Sequence, residues 1–464
     1  MSAAQWYKCD ALWDGRAWIE PAFVGLDADG LITHITSNAD DLPAGAATTH
    51  LPGWILPGFI NAHSHAFQYA MAGLAEHLAP GAADDDFWSW RETMYGLALR
   101  ISPDELEAVA TMLYSEMLRR GYTRVVEFHY LHNAPDGRPY ENRGEMAQRL
   151  AAAAQQSGIA LTLAPMYYHN GDFDAPAQPR QRRFISASLD DYDALLDASA
   201  AALSGLPDAV AALGVHSLRA ASREEVRDIF GRGAAAHPVH IHVAEQVREI
   251  ESCKARWGAR PVEWLLNNVE LNSHCALVHA THMTAAETQG LARSGAAAVL
   301  CPSTEGNLGD GFFNLREYAA QEGVWAIGSD SHVGLSPLEE LRWLDYGRRM
   351  SDRRRNVLCL AGGDDSGEIA LRSALEGGIA SAGTSGGGLK PGMPFDAVQI
   401  DAAEAVLYGL PAAQRLSALV YAGDSGMLKA VFRRGRRVVE NGAHIDGERI
   451  QTRFHRAVAP MREW

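Results

Sequence analysis

The sequence predicts an α/β protein, a (β/α)8 TIM-type barrel with a small β-sandwich domain built from both chain ends. Helical stretches alternate with short apolar runs about eight times, which is typical of a parallel sheet closed into a barrel. Both ends of the chain instead show strand and turn patterns. The length of 464 residues accommodates a large barrel and one satellite domain.

The two chain ends are expected to share one small β-domain. Residues 1–57 form its N-terminal part, because apolar pairs separated by Asp-Gly turn signals indicate hairpins. Residues 386–464 form its C-terminal part and a tail. They follow a glycine-rich break and contain two further strand patterns, LKPGMPFDAVQIDA and MLKAVFRRGRRVVENG.

Residues 58–385 are predicted to form the barrel. The stretch SPDELEAVATMLYSEMLRRG opens with a capping-box pattern and ends at Gly121, so we expect a helix between them. After PGFINAHS, the barrel strands are expected in seven apolar runs: TRVVEFHY, IALTLAPMYY, AALGVHSL, HPVHIHVAE, CALVHATH, AAAVLCPS and VWAIGSDSH.

The composition narrows the choice of partners and compartment. A content of 47% hydrophobic and 21% charged residues is typical of a soluble globular protein. The formal net charge of −16 argues against nucleic acid and anionic membranes, although a local pocket can still bind an anionic small molecule. The N-terminus lacks a signal-peptide pattern, and no apolar run reaches the roughly 18 residues of a membrane helix. We therefore expect a cytoplasmic protein, and the sequence leaves a homodimer open.

Five cysteines are scattered along the chain without a CxxC pair, which is typical of free thiols in a reducing compartment. They are Cys9, Cys253, Cys275, Cys301 and Cys359.

Histidines and carboxylates follow the apolar runs. His63 and His65 are two residues apart, so on a strand both imidazoles point to the same face. Alone, this pair fits either a metal site or two ordinary polar residues at a strand end. His242, His279 and Asp330 end later runs, and barrel strands end at one shared face. Together these residues predict a metal site. Two neighbouring histidines complicate the assignment, His240 and His282.

The segments PGFINAHSHAFQ, HVAE, VHATH and GSDSH resemble the amidohydrolase superfamily in its deaminase branch, and the similarity covers nearly the whole chain. The resemblance implies one divalent metal ion per chain, for which we expect zinc. It implies His63, His65, His242 and Asp330 as ligands, with His242 preferred because the branch pattern His-x-x-Glu ends here at Glu245.

The lysine distribution also favours one metal ion. Binuclear relatives bridge two metals with a carboxylated lysine between the first and fifth strands, and this chain has no lysine between Lys8 and Lys254. A cysteine or glutamate bridge stays open.

The same resemblance implies the catalytic groups. Glu245 is expected to take a proton from the attacking water and return it to the leaving nitrogen. His279 is placed to hydrogen-bond the water or the developing oxyanion. Asp330 is expected to bind metal and to accept a proton as the tetrahedral intermediate collapses.

Longer segments resemble the formimidoylglutamate deiminase family, which hydrolyses N-formimino-L-glutamate to N-formyl-L-glutamate and ammonia. They are HSHAFQYAMAGLAEH, FWSWRETMYG, EFHYLHN, HSLRA and STEGNLGDG. The implied partner is a dicarboxylate amidine, and arginine binds carboxylates through a planar fork. The substrate contacts implied by this resemblance are Gln68, Arg91, Tyr130, His216 and Arg219.

Five residues near strand ends receive lesser roles. Glu305 and Asn307 follow the seventh strand and are expected to order a loop or touch the substrate. Ser329, Ser331 and His332 flank Asp330 and are expected to fix its orientation.

Two alternatives stay open at this point. A related deaminase acting on a purine or another ring keeps the chemistry but should offer stacking and amide groups instead of paired arginines. A non-catalytic barrel scaffold without metal is the other, because a fold does not determine a function.

Overall fold

The structure, a computed structural model, describes residues 5–78, 83–233, 237–384 and 386–462. Residue 385, at which the predicted barrel domain ends, lies outside these ranges, as do the terminal residues 1–4 and 463–464. The strands are β1 (Gln5–Trp13), β2 (Trp18–Ile19), β3 (Ala22–Leu26), β4 (Ile32–Thr36), β5 (Thr48–Pro57), β6 (Phe59–Ser64), β7 (Tyr122–His129), β8 (Ala160–Tyr167), β9 (Asn170–Asp172), β10 (Ala175–Pro176), β11 (Val210–Ala211), β12 (Leu213–Ser217), β13 (Val239–Val243), β14 (Cys275–His279), β15 (Ala297–Leu300), β16 (Trp325–Ile327), β17 (Ala397–Ile400), β18 (Leu428–Arg433), β19 (Arg436–Glu440) and β20 (Ala443–His444).

The α-helices lie mainly between the barrel strands. They are α1 (Phe87–Ala98), α2 (Pro103–Arg119), α3 (Glu145–Ser157), α4 (Leu189–Ala202), α5 (Arg223–Gly233), α6 (Val247–Trp257), α7 (Pro261–Asn268), α8 (Ala285–Ser294), α9 (Pro302–Leu308), α10 (Leu315–Ala319), α11 (Pro337–Asp352), α12 (Ser366–Ala382), α13 (Ala412–Ala422) and α14 (Gly447–Val458).

Eight parallel strands form the predicted barrel, in the order β6-β7-β8-β12-β13-β14-β15-β16. Each strand coincides with one of the apolar runs that predicted it, so the barrel is confirmed. Nearly every residue of these strands is buried, as expected for a parallel sheet covered by helices on its outer face.

The first and last barrel strands meet through backbone contacts beside the candidate site. Ser64 and Asp330 form a parallel bridge, and the amides of Ser329 and Asp330 donate to the carbonyl of His63 at 3.1 and 3.0 Å. A Cβ atom on Gly328 would lie 2.7 Å from the Cβ of His63. Only glycine therefore allows the last strand to approach the first this closely.

Both chain ends contribute to a second sheet of nine strands, in the order β20-β19-β18-β17-β5-β1-β3-β4 with β2 beside β1. Tyr7 on β1 lies 5.8 Å, between ring centroids, from Phe432 on β18. These strands are three positions apart in the sheet, or about 14 Å if the sheet were flat. The sheet therefore bends over its own apolar core, as the predicted sandwich requires.

Helix α2 begins at the predicted capping box, in which Ser102 and Glu105 cap each other's backbone amides. Three helices were not expected from the sequence. Helix α1 precedes α2 within the long connection after β6, and α13 and α14 lie in the C-terminal region that was interpreted as strands and a tail. None of the described helices combines the length and hydrophobicity needed to cross a lipid bilayer.

Two adjacent glycines let α12 pack tightly against the barrel. A Cβ atom on Gly377 would lie 1.9 Å from the carbonyl oxygen of Trp325 on β16, and one on Gly378 would lie 2.8 Å from the Cβ of Ile60 on β6. Helix α12 thus covers the seam where β6 meets β16.

We predict that Gly377→Ala destabilises the protein by at least about 2 kcal/mol, because the added methyl group overpacks this contact. The measurement is the midpoint of thermal unfolding, which should fall by several degrees. Gly231→Ala is the matched control, since this glycine in α5 has open space around its Cβ position. An unchanged midpoint in Gly377→Ala would show that α12 can move away from β16 at little cost.

Candidate active site

Four of the predicted residues converge inside the barrel, at the carboxyl ends of its strands. His63, His65 and His242 place their Nε2 atoms 3.1–3.3 Å from one another. The Oδ1 atom of Asp330 lies 3.3 Å from His63 Nε2 and 3.2 Å from His65 Nε2. All four side chains are buried. This cluster can hold a metal ion.

The strand pleat explains which histidines converge. His63 and His65 alternate with Ser64 on β6, so both imidazoles point to the same side. His240 and His242 share a face of β13 in the same way, but His240 lies two residues nearer the start of the strand. Its Nε2 lies 3.0 Å from the carbonyl of Ser381 and does not join the cluster. The structure favours His242 over His240, in agreement with the sequence analysis.

Backbone contacts fix the orientation of the cluster. The Nδ1 atom of His65 lies 2.8 Å from the carbonyl of Phe128, so it is the protonated nitrogen and Nε2 presents its lone pair. Asp330 has a left-handed backbone with φ +46°, and its carbonyl accepts from the amide of His65 at 3.3 Å. The backbone strain at a non-glycine residue is offset by the barrel seam, which holds Asp330 in place.

The protonation states suit a cation site. Burial lowers the pKa of His63 to about 3 and that of His242 well below its usual value, so both imidazoles are neutral near pH 7. Burial opposes ionisation of Asp330, but contacts with His63 and His65 hold its pKa well below its usual range. Neutral imidazoles and an ionised carboxylate are the forms that bind metal ions.

Glu245 and His279 lie next to this cluster. His279 Nε2 is 3.7 Å from Glu245 Oε1 and 4.0 Å from Asp330 Oδ2, while its Nδ1 is 3.4 Å from Glu305 Oε1. Burial raises the pKa of Glu245 to about 7. For His279, burial lowers the pKa, but Glu245 and Glu305 outweigh it and raise the value to about 10. A protonated His279 can therefore donate from both nitrogens.

Glu305 and Asn307, the two residues predicted to act after the seventh strand, lie in different surroundings in the structure. Glu305 is buried, contacts His279, and accepts from the amide of Cys301 at 2.9 Å. Asn307 instead hydrogen-bonds Glu76 at 2.9 Å in an exposed position. The carboxylate just after a strand end was the sequence signal for Glu305. A further buried carboxylate, Asp310, was missed, and burial raises its pKa to about 9.

Hydrogen bonds behind Asp330 involve the expected neighbours. Ser329 Oγ lies 2.9 Å from His332 Nδ1, and the hydroxyl of Ser331 lies 3.0 Å from that of Thr304. Asn61 was not expected from the sequence. Its side-chain oxygen accepts a hydrogen bond from the Ser329 amide at 3.0 Å, and its Nδ2 donates to the Ser329 hydroxyl at 2.7 Å. Asn61 lies two residues before His63 on β6, so strand alternation was the available signal.

A cavity with about 50 Å³ of free volume opens onto the cluster. Its lining includes every predicted catalytic and substrate-contact residue and every predicted metal ligand except the fully buried His63. The predicted residues that line it are His65, Gln68, Arg91, Tyr130, His216, Arg219, His242, Glu245, His279 and Asp330. Tyr95 and Tyr168, which the sequence analysis missed, line it as well.

Two arginines face this cavity without an anionic partner. Within the described ranges, neither Arg91 nor Arg219 forms an ion pair, and the Nε of each is buried without a hydrogen bond. Burial and the nearby cation of Arg219 lower the pKa of Arg91. Burial also opposes the charge of Arg219, but the carboxylates of Glu249 and Glu245 outweigh it and raise its pKa. A half-buried and a buried guanidinium group, neither with a direct ion pair to a described residue, still favour an anionic ligand.

Neutral polar groups complete the cavity wall. Gln68 Nε2 donates to the hydroxyl of Tyr130 at 2.8 Å, which leaves its buried Oε1 without a partner. His216 Nδ1 lies 3.2 Å from Ser217 Oγ, and burial together with Arg219 lowers the pKa of His216 well below its usual value. His216 is therefore a neutral hydrogen-bonding group beside a cation.

A second group of potential ligands, His279, Cys301 and Asp330, shares Asp330 with the first. Burial raises the pKa of Cys301 well above its usual value, so the thiol is protonated near pH 7. A thiol is a poor metal ligand compared with a thiolate. A metal ion at this second group would have to displace the thiol proton, so His63, His65, His242 and Asp330 form the better prepared of the two sites.

Known proteins similar to this chain include a deiminase, an amidohydrolase and a deaminase. A formimidoylglutamate deiminase of Pseudomonas aeruginosa is 42% identical over 440 residues, which cover 95% of each chain. The crystal structure of an amidohydrolase from Brucella melitensis has a TM-score of 0.92 at 41% identity and covers 99% of this chain and 100% of its own. An adenosine deaminase from Xanthomonas campestris, with zinc bound, has a TM-score of 0.81 at 21% identity, covers 100% of this chain and 99% of its own, and shares the fold.

The family model for the Amidohydrolase family matches residues 54–438, which include the whole barrel and the strands β17 and β18. With the 42% identical relative, this match establishes the family. The chain belongs to the amidohydrolase family.

Proposed function

We propose that this chain hydrolyses N-formimino-L-glutamate to N-formyl-L-glutamate and ammonia. The observation that carries the proposal is the pair of unpartnered arginines, Arg91 and Arg219, facing the same cavity as the metal-ligand cluster. A dianionic amidine supplies both an anion for these cations and an electrophilic carbon for hydrolysis. The similarity to the Pseudomonas aeruginosa formimidoylglutamate deiminase supports the same substrate.

The donor set fits zinc. Zinc–nitrogen bonds of about 2.0–2.1 Å in a tetrahedral site separate the ligand atoms by about 3.3–3.4 Å. The observed separations of 3.1–3.3 Å among three imidazole nitrogens and one carboxylate oxygen approach these values. A zinc ion held there would supply the Lewis acidity that makes water a nucleophile near neutral pH.

The residues around the cluster account for the proton transfers. Water bonds to the formimino carbon as Glu245 takes one of its protons. The substrate amidinium carries two protons on its terminal nitrogen, Glu245 delivers the third, and the C–N bond breaks to release ammonia. Asp330 accepts the hydroxyl proton as the formyl carbonyl forms. His279 donates a hydrogen bond to the developing oxyanion.

Substrate selection rests on charge. Arg219 and Arg91 are proposed to hold the two carboxylates, and Gln68, Tyr130 and His216 to hydrogen-bond the remaining polar atoms. A ring substrate would find aromatic walls in the same cavity, Tyr95, Tyr168 and Phe184. It would leave both guanidinium groups unpaired and desolvated, which disfavours this alternative.

The remaining expectations stay proposals. The intact ligand cluster with Glu245 beside it argues against the metal-free scaffold. We propose that the protein works in the cytoplasm on a small molecule, without nucleic acid or membrane as partner, and a homodimer stays open. The division into residues 1–57, 58–385 and 386–464 also stays a prediction.

We predict that His242→Asn lowers the bound metal from about one ion per chain to nearly none, because one of four ligands is lost. The measurement is elemental analysis of the folded, non-aggregated fraction after gel filtration. His240→Asn, on the same strand face, is the control and should retain the metal. Loss of metal in the His240 variant alone would reverse the assignment.

Glu245→Gln should retain the metal but lower kcat by about 10² to 10⁴, because the amide cannot carry a proton between water and nitrogen. Metal content and turnover are measured on the same sample. Near-normal kcat would exclude Glu245 as the proton carrier.

The test of the function itself is product analysis with N-formimino-L-glutamate. The wild type should release ammonia and N-formyl-L-glutamate, whereas formamide and glutamate would indicate cleavage of the other C–N bond.

Arg219→Ala should keep the metal and raise KM by roughly tenfold or more, since a charge-assisted contact is lost. Arg223→Ala is the control, because Arg223 stacks on Trp257 and does not line the cavity. Normal turnover of a ring substrate by Arg219→Ala would favour the alternative deaminase.

A further inference from the structure

Three guanidinium groups surround one aromatic ring at the mouth of the cavity. The Cζ atoms of Arg91 and Arg248 each lie 4.4 Å from the ring centroid of Trp88, and that of Arg219 lies 5.6 Å away. Trp88 and Arg91 lie on α1, while Arg219 follows β12 and Arg248 begins α6 after β13. The tryptophan thus joins α1 to the segments that follow two barrel strands, β12 and β13.

None of these guanidinium groups has a carboxylate within ion-pair distance in the described part of the chain, and none forms a side-chain hydrogen bond there. Burial opposes the charge of Arg219, but the more distant carboxylate of Glu249 outweighs it and raises the pKa of Arg219, so this cation is partly compensated. Cation–π contacts offset part of the repulsion among the three cations. Positive charge is thus concentrated here in a chain whose formal net charge is −16.

The three arginines differ in their depth. Arg91 and Arg219 line the cavity, whereas Arg248 is exposed and lies outside its lining. Arg91 and Arg219 can therefore bind carboxylates inside the cavity, whereas Arg248 faces the solvent. The outer cation is the first of the three that an anion approaching from solution meets.

We propose that Arg248 is a specificity-determining residue that recruits the dianionic substrate to the cavity mouth, held there by Trp88. The inference rests on the proposed function. A chain with net charge −16 repels a dianion at long range, so a local cation at the entrance raises the substrate concentration there. Because Arg248 is exposed, salt should screen its attraction strongly. The product N-formyl-L-glutamate retains both carboxylates and should be attracted by the same charge.

The experiment compares Arg248→Gln and Arg248→Glu with Arg256→Gln and Arg256→Glu in the metal-loaded protein. Arg256 lies eight residues further along α6, about 12 Å away, is also exposed, and forms no ion pair with a described residue. Both pairs of variants change the net charge equally. The readouts are kcat and KM for N-formimino-L-glutamate and the competitive inhibition constant of N-formyl-L-glutamate, at ionic strengths of about 0.01 and 0.5 M.

At low ionic strength, Arg248→Gln should lower kcat/KM by roughly tenfold and Arg248→Glu by more, with kcat retained. The inhibition constant of N-formyl-L-glutamate should rise by a similar factor. At high ionic strength both effects should shrink to less than about twofold, because the Debye length falls below about 5 Å. The Arg256 variants should stay within about twofold of the wild type under both conditions.

Two results would overturn the inference in an active wild type. Equal effects of the Arg248 and Arg256 variants would assign the loss to net charge alone. A loss that persists at high ionic strength, or one that appears in kcat, would assign Arg248 a structural or direct catalytic role. An inactive, metal-loaded wild type would instead reject the proposed substrate, and recruitment of this dianion would fall with it.

Discussion

The structure depends on the burial of three imidazoles and one carboxylate around a single point. Their ring nitrogens and the carboxylate oxygen lie 3.1–3.3 Å apart, so the lone pairs of these donor atoms would repel one another when all of them point to that centre. A cation bound between these donor atoms would relieve the repulsion. A barrel filled with apolar side chains would have no such repulsion and would need no cation. The barrel strands, the seam between β6 and β16, and the hydrogen bond from His65 to Phe128 all serve to hold these donors in place.

The cavity carries positive charge at its outer side, although the chain as a whole is negatively charged. Carboxylates surround His279 on the inner side of the cavity, and arginines stand at its outer side. A dianionic amidine would meet the arginines with its carboxylates and the acidic groups with its cationic amidinium. The two ends of the cavity thereby specify the orientation of the substrate before any bond changes.

Much of the barrel was predictable because its strands are buried on both faces and therefore consist of continuous runs of apolar residues. The metal ligands were predictable because His63 and His65 share a strand face, and the family resemblance resolved His242 from His240. Helix α1 was missed, although Asp86 and Ser89 form a capping box there, because an acidic loop segment precedes it. The contact between Trp88 and Arg248 joins elements far apart in sequence, and no local pattern encodes such a contact.

The position of Asp330 has a consequence for the order of biosynthesis. His63 and His65 emerge from the ribosome early and His242 later, but the carboxylate and its backbone support arrive only with the final barrel strand. Until Asp330 bonds to the carbonyl of His63, neither the seam nor the complete donor set exists. A metal ion held by this cluster would therefore be bound tightly only after the barrel closes, and an incomplete chain should bind the ion only weakly.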